Sequence, residues 1–453
     1  MKHDTVNKYN LAEGVIWQQI LIFFFPILFG TFFQQLYNTV DAIVVGRFVG
    51  KEALSAVGGT TGTLINLLVN FFVGISSGAT VIISQYYGAK KHEDLNTAVH
   101  TAIGMAVIGG AFIMVVGFLA SPIALRAMNT PSDVIEYSII YIRIYFTSMI
   151  ANLIYNMGSG ILRAVGDSKR PLYFLIVSCF VNIVLDLLFV IVFGWGVHGV
   201  AIATVLSQCV SAVLILLALS KTDESYQIQF NNIKIHGDKL DQIFKIGLPA
   251  GLQSVMYSIA NMAIQVCINS FGTDTVAAWT AFSKIDGLFW MMMGAFGVSI
   301  TTFVGQNYGA EKMDRVKKGV RQCLSMCMLS AVILSMVLYF AGQYIYLMFT
   351  ADTAVIEKGM EILRFLVPTY FTFVFIEILS GALRGMGNSL VPMLITCLGV
   401  CGLRIVWIFC AVPIKPDIKT VVFSYPLSWV VTSVLFIFYY RHFVKKIKSQ
   451  AAA

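Results

Sequence analysis

Two acidic residues, Asp41 and Asp186, stand inside long apolar stretches of this sequence. A carboxylate within a membrane span costs about 3 kcal/mol and is usually found facing a cavity or a partner. Asp41 follows Thr31, Gln34 and Asn38 at offsets that place all four residues on one helical face. The spacing predicts a polar stripe on an apolar helix, with Asp41 available to hold a proton or a cation.

A second polar group lies further along the same half of the chain. Asn182 and Asp186 are four residues apart, so one helical face carries both, and Thr204 lies in the next apolar run. No basic residue is expected at comparable depth in this half, so the acids must hold a proton or bind a cation. The predicted ion site consists of Asp41, Asn182, Asp186 and Thr204. Its oxygen atoms suit Na⁺, whereas neighbouring acids can instead share protons, and both choices stay open.

Further polar residues in the apolar runs are candidates for the lining of a wet cavity. Singly, such residues are ordinary contacts between membrane helices, and only the set as a whole points to a cavity. In the second half, two acids share the membrane with Lys284 and Arg404, so ion pairing could neutralise that half. The candidate lining residues are Gln34, Asn38, Asn66, Asn70, Asn156, Gln208, Asp286 and Glu377.

Pro26 lies about four turns before Asp41 and predicts a bend in the first span. A static bend is common in membrane helices, and a moving hinge is the alternative. Pro249 opens the seventh span at nearly the matching place, which favours an inherited bend. Pro26 is therefore the hinge candidate.

The elements that position these residues are membrane helices. The chain is 58% hydrophobic and 12% charged, whereas soluble domains are about 25% charged. Apolar runs of about 20 residues recur, and spans of that length must be helical because hydrocarbon cannot satisfy backbone groups. We therefore predict an all-α polytopic membrane protein with twelve transmembrane helices. The predicted spans are Trp17–Val45, Ala53–Ile83, Leu95–Ser121, Val134–Ser159, Leu172–Phe193, Val200–Ser220, Gln242–Ser270, Val276–Val304, Val320–Gln343, Val355–Gly381, Pro392–Val412 and Val421–His442.

The chain contains the same motifs twice. SGILRAVGDSKRP at Ser159–Pro171 returns as SGALRGMGNSLVP at Ser380–Pro392, 221 residues later, and QYYGAKK returns as QNYGAEK at the same spacing. The duplication predicts two pseudo-symmetric six-helix lobes, residues 1–220 and 242–450, joined by a cytoplasmic linker at 221–241. Large duplicated apolar halves are typical of transporters, with the substrate path between the repeats.

Basic residues predict the orientation in the membrane. Lysine and arginine concentrate in the even-to-odd connections and after the last span, so both termini are predicted to lie in the cytoplasm of a multi-pass protein of the cell membrane. The net charge of +8 follows from this bias, and no nucleic-acid partner is inferred from it. No GxxxxGK[ST] phosphate-binding loop is present, so we do not expect ATP-driven pumping. The expected mechanism makes and breaks no covalent bond, so we do not expect an enzyme. No cofactor is expected beyond the coupling ion, and we expect a monomer.

The run QLYNTVDAIVVGRFVG, the repeated QYYGA and QNYGA, and LRAVGDSKRP with LRGMGNSLVP resemble the multidrug and toxic compound extrusion transporters over about Gly14–Lys446. The resemblance implies two six-helix lobes around a cleft and export of organic cations or amphipathic drugs against H⁺ or Na⁺. The predicted ion site matches the branch named for DNA-damage-inducible proteins, whose ion site lies in the amino-terminal lobe. The other bacterial branch has a glutamate in the seventh span, where this chain has Gln253 and Tyr257 as candidate lining residues and no acid.

The expected function is secondary antiport by alternating access. One rival is a flippase for lipid-linked saccharides, which would need a cleft rich in arginine and lysine. Another is a passive channel or a receptor, neither of which needs a coupling ion.

Overall fold

The computed structural model describes residues 10–128 and 130–452, and 86% of it is helix. Within these residues, eleven helices are long and apolar enough to cross a membrane, and there are twelve when one bent pair counts as a single span. The predicted fold class, an all-α polytopic protein with twelve spans, is confirmed. The helices are α1 Ile16–Phe48, α2 Lys51–Gly88, α3 His92–Ala127, α4 Ile135–Thr147 with Met149–Ala164, α5 Lys169–Val192, α6 Gly196–Ser220, α7 Gly237–Asn269, α8 Thr273–Gly309, α9 Met313–Leu347, α10 Thr353–Gly385, α11 Leu390–Ala411 and α12 Ile418–Gln450.

Several helices differ from the predicted spans in length or regularity. α12 continues to Gln450, eight residues beyond the predicted end at His442, because the prediction ended with the apolar run and the last turns of the helix are basic. α4 bends by 50° between Thr147 and Met149. Residues 1–9, the start of the predicted first lobe and its cytoplasmic terminus, lie outside the described residues.

The duplication is visible in the backbone as well as in the sequence. Gly166 and Gly387, 221 residues apart, both adopt left-handed conformations, with φ of 97° and 89°. The N–H of each donates to the carbonyl three residues earlier at 2.8 Å, and a left-handed residue that ends a helix favours glycine. Lys90 and Glu311 share the same spacing and have φ of 55° and 60°. Both repeats therefore end their second and fourth helices in the same way.

The helices form two compact units. Unit 1 contains Phe25–Gly251 and the segment up to Leu11, and unit 2 contains Ala12–Phe24 and Leu252–Ala453. The division falls inside α1 just before Pro26 and inside α7 two residues after Pro249. Proline removes a backbone hydrogen bond at each place, so both helices are weakest near the division. The lobe boundaries at residues 220 and 242 stay a prediction.

The segment predicted as a polar linker packs onto unit 1. Tyr226 and Ile228 are buried and join the apolar core of that unit. The Asn96 side chain on α3 donates to the carbonyls of Ser225 and Gln227, both at 3.1 Å. Burial and these hydrogen bonds fix the connection against α3, so it is an ordered part of unit 1.

Glycines allow α2 to pack closely against the start of α7 within unit 1. A Cβ atom at Gly78 would lie 2.3 Å from the Ile243 carbonyl oxygen, and one at Gly74 would lie 2.5 Å from the Gly251 Cα. Because both obstacles are backbone atoms, neither can move without shifting a helix. Small residues that permit such approach are common between membrane helices.

We predict that Gly78→Ala lowers the thermal unfolding temperature in detergent, since overpacking of this kind costs about 1–3 kcal/mol. Gly294→Ala is the matched control, because a Cβ there meets no atom within 4 Å and alanine favours a helix. Equal unfolding temperatures for the two variants would contradict the close α2–α7 packing.

Candidate functional site

The predicted ion-binding residues come together in unit 1. Asp41 lies on α1, Asn182 and Asp186 lie on α5, and Thr204 lies on the adjacent α6, each with at most 5% of its surface exposed. The carboxyl groups of Asp41 and Asp186 lie side by side. Residues 145 positions apart in sequence thus form one buried acidic pair.

Most polar atoms of this acidic pair and its neighbour lack a partner. Asp41 Oδ1, both carboxylate oxygens of Asp186 and both amide atoms of Asn182 are buried and form no hydrogen bond within the described part of the chain. Two ionised carboxylates only accept hydrogen bonds, so they cannot bond to each other without a proton between them. Buried groups of this kind are costly unless satisfied. The site is therefore suited to take up a proton or a small cation.

Three tyrosines surround the acidic pair, and sequence reasoning missed them. Tyr37 on α1 and Tyr141 on α4 both lie beside Thr204 and close to Asp41. Tyr145 stacks on Tyr141 with 6.2 Å between ring centroids. Four-residue spacing, from Tyr37 to Asp41 and from Tyr141 to Tyr145, was the signal that could have indicated them. Their hydroxyl groups add donors and acceptors to an otherwise apolar surrounding.

A cavity of about 140 Å³ adjoins the site and is lined by α1, α4, α5 and α6. α1 contributes Pro26, Gly30, Gln34 and Tyr37, and this helical face continues to Asp41. Tyr37 thus lines the cavity and also lies close to Asp41. Since α1 carries both Asp41 and part of the cavity lining, binding of a proton or cation at Asp41 can alter the cavity through this helix alone.

The cavity contains some of the predicted lining residues and excludes others. Gln34, Asn156 and Gln208 line it. Asn38, Asn66 and Asn70 do not, and their side chains are exposed. Asparagine on a membrane helix therefore indicated the cavity at Asn156 but not at the other three positions, because asparagine equally suits helix contacts and helix ends.

One basic side chain, Arg163, lines the cavity of unit 1, although no basic residue was expected near the acids of this half. It lies in the last turn of α4, lines the same cavity, and its buried Nε makes no hydrogen bond to the described residues. Its electrostatic partner is Tyr155 rather than an acid. The cavity around Arg163 includes Pro171 near the start of α5, and Asp186 lies about 22 Å further along that helix. Arg163 therefore does not neutralise the acidic pair.

In unit 2, Asp286 is satisfied by its neighbours. Trp290 Nε1 donates to one carboxylate oxygen at 2.6 Å, and the Tyr370 hydroxyl donates to the other. Arg404, 1% exposed, lies 4.1 Å over the Tyr425 ring and acts on Asp286 electrostatically. This acid already has donors and a nearby cation, unlike the pair in unit 1.

Glu377 belongs to a second group in unit 2. Its charge interacts with Arg384 and with Tyr257, and Arg384 also donates to Gln253 at 3.4 Å. The suggested involvement of Lys284 does not hold, because that side chain is exposed and forms none of the ion pairs found among the described residues. Arg384 provides the nearby cation instead, so internal neutralisation of this half has a structural basis.

Comparison with known proteins identifies the family. The MatE family model matches residues 26–188 and 249–410, which cover most of both repeats. The chain belongs to the MatE family of multidrug efflux transporters, and it is a multi-pass membrane transporter and not an enzyme.

Individual relatives agree with this assignment. The chain is 28% identical over 445 residues to the probable multidrug resistance protein YoeA of Bacillus subtilis, covering 96% of each chain. It is 26% identical over 405 residues to YpnP of the same organism, covering 88% of this chain and 89% of that one. A crystal structure described as MATE in the bent conformation has the same fold, with a TM-score of 0.91, 22% identity and 98% of each chain covered.

We predict that Asp41→Asn abolishes stabilisation of the detergent-solubilised protein by added Na⁺ or by protons. An ion that binds only the folded state raises the unfolding temperature by mass action, so the wild type should gain stability with added Na⁺ or with falling pH. Glu136→Gln removes an exposed carboxylate of the same unit and should keep the wild-type response. An Asp41→Asn response equal to that of the wild type would exclude ion binding at the pair.

Proposed function

We propose that this transporter is a secondary antiporter that exports organic cations or other amphipathic drugs in exchange for H⁺ or Na⁺. The acidic pair in unit 1 carries the proposal, because it is buried, because most of its oxygens accept no hydrogen bond from the described residues, and because Tyr37 beside Asp41 lines the cavity. A transporter without ion coupling has no need of uncompensated buried acids, which lower its stability.

The geometry supports a route from ion binding to substrate release. At about 140 Å³ the cavity of unit 1 is smaller than the ~300–1,000 Å³ of common ligand sites. It must widen to admit a drug, and α1 is the wall that can move, since Pro26 interrupts its hydrogen bonding at the cavity. Uptake of a cation by Asp41 and Asp186 would change how α1 packs and displace the substrate. Pro26 is then a moving hinge.

The side-chain atoms at the ion site are compatible with either coupling ion, Na⁺ or H⁺. Asp41, Asn182, Asp186 and Thr204 offer carboxylate, amide and hydroxyl oxygens, which suit Na⁺. The same acidic pair can share protons. The site lies wholly in unit 1, and α7 has no acid between Gln242 and Asn269, the stretch that contains Gln253 and Tyr257, which supports a place in the DNA-damage-inducible branch.

The energy available from coupling is adequate for export. One positive charge moving inward down ~100 mV supplies about 2.3 kcal/mol. That corresponds to a roughly fifty-fold gradient of a neutral substrate. A chemical gradient of the ion adds to it.

The proposed topology places both termini in the cytoplasm and the monomer in the cell membrane. The basic turn residues Lys90 and Lys91 and the basic end of α12 support this orientation. The flippase alternative has less support. A pyrophosphate-bearing lipid calls for several cations, and Arg163 is the one basic side chain among the described residues of the unit 1 cavity.

The test is transport by purified protein in vesicles under separately imposed pH and Na⁺ gradients. We predict that Asp41→Asn and Asp186→Asn each reduce gradient-driven dye efflux by tenfold or more, because every transport cycle then loses its ion. Only one of the two gradients should drive efflux by the wild type, and that one identifies the ion.

Glu377→Gln is the matched control in unit 2, since it removes a half-buried acid whose charge is offset electrostatically by Arg384. We expect it to retain gradient dependence. Full gradient-driven efflux by Asp41→Asn, or loss confined to Glu377→Gln, would refute the proposed ion site.

A further inference from the structure

A basic groove lies in unit 2 between the start of α9 and the end of α12. It has a volume of about 530 Å³, within the ~300–1,000 Å³ of common ligand sites. Five cationic side chains line it, and no acid is among its described lining residues. The five are Lys317, Arg321, Arg441, Lys445 and Lys448.

The inside of the basic groove is apolar. Phe375 and Leu379 of α10 contribute to the lining, together with Leu324 of α9 and Val444 of α12. α9 and α12 both pack against this part of α10. The Tyr440 hydroxyl is buried there and makes no hydrogen bond to the described residues. The groove therefore combines cations, one unsatisfied hydroxyl and an apolar surface.

The cations of the basic groove are poorly compensated. Lys317 Nζ lies 3.6 Å from Asp314, whose side chain is 94% exposed, so this pair is weak. The other four form no ion pair within the described ranges. Like charges gathered around one groove repel each other, and a bound anion would relieve that repulsion.

The repeat shows what the equivalent groove of unit 1 contains. Lys317 and Arg321 lie 221 residues after Asn96 and His100. Asn96 binds the carbonyls of residues 225 and 227, and His100 Nε2 accepts from the Gln229 N–H at 3.1 Å. In unit 1 these positions therefore hold the connecting segment between the repeats.

The connecting segment also fills the apolar part of that groove. The Ile228 N–H donates to the Leu219 carbonyl at 3.0 Å, and Leu219 corresponds to Tyr440 in the repeat. Tyr226 and Ile228 are buried there. In unit 2, α12 continues as a helix to Gln450, and the described residues that line the groove all belong to α9, α10 and α12. The same position in the fold is filled by peptide in one unit and left open, with added cations, in the other.

We propose that the basic groove binds the headgroup of an anionic phospholipid from the adjacent leaflet, which is the cytoplasmic one in the proposed topology. Basic pockets between transmembrane helices on that side suit such headgroups. Arg321 and Arg441 can bind phosphate oxygens in the planar geometry of guanidinium. The Tyr440 hydroxyl can bond to the glycerol, and the acyl chains follow the apolar residues toward the hydrocarbon.

The test compares lipid binding by two double variants with equal charge loss, using native mass spectrometry of the full chain with added phosphatidylglycerol. Arg321→Ala/Lys445→Ala removes two cations that line the groove. Lys318→Ala/Lys446→Ala removes their exposed neighbours on the same helices, neither of which lines it. Each cation near an anionic headgroup contributes about fivefold in affinity. We therefore expect about 25-fold weaker binding for the first variant and near wild-type binding for the second.

Several results would overturn the proposal. Equal losses in the two variants would mean nonspecific attraction to negative lipid, and equal affinity for phosphatidylcholine would exclude recognition of charge. If inorganic phosphate displaced the lipid with an affinity equal to that of the lipid, the groove would be a site for a free anion. If an acidic peptide bound more tightly than the lipid, the groove would be a site for a protein partner. Because the readout is binding, failure here leaves the proposed antiport untouched, and failure of antiport leaves this result standing.

Discussion

The central physical constraint in this molecule is a pair of carboxyl groups buried side by side without a countercharge. Asp41 and Asp186 come from α1 and α5, and the described part of the protein gives most of their oxygens no donor. It is costly for both buried carboxylates to remain ionised without a bound cation. Unit 2 has half-buried acids as well, but Trp290 and Tyr370 satisfy Asp286, and Arg384 acts electrostatically on Glu377. The duplicated halves have therefore diverged, one toward an open site and one toward internal compensation.

The same divergence appears at the start of the third helix and the end of the sixth helix of each repeat. Unit 1 covers that region with its own connecting segment, held by Asn96 and His100. Unit 2 replaces these residues by Lys317 and Arg321 and leaves the groove open. Gene duplication supplies the fold twice, and side chains at matching positions then determine what each copy binds.

Much of the fold could be predicted from the sequence, because long apolar runs have one solution in a membrane and the repeated motifs give the order of the halves. Asp41 and Asp186 could be found because acids are rare within apolar spans, and Asn182 could be found because it shares a helical face with Asp186. Tyr37 and Tyr141 were missed, since tyrosine is common at membrane helix ends and four-residue spacing was the only signal that pointed to them. Arg163 was missed because basic residues near helix ends usually face water, and the sequence does not show that this side chain lines the cavity. The packing of Tyr226 and Ile228 was hidden by the polar composition of their segment.

Competition between substrate and ion for unit 1 is the most direct test of this account. The affinity of the purified protein for a fluorescent organic cation should be measured across Na⁺ concentration and pH, without a membrane. Linkage requires that an ion which displaces substrate lowers substrate affinity by the same factor as substrate lowers ion affinity. The account predicts at least a tenfold loss of affinity as the coupling ion saturates the acidic pair, and no loss in Asp41→Asn. A substrate affinity independent of both Na⁺ and pH in the wild type would contradict it.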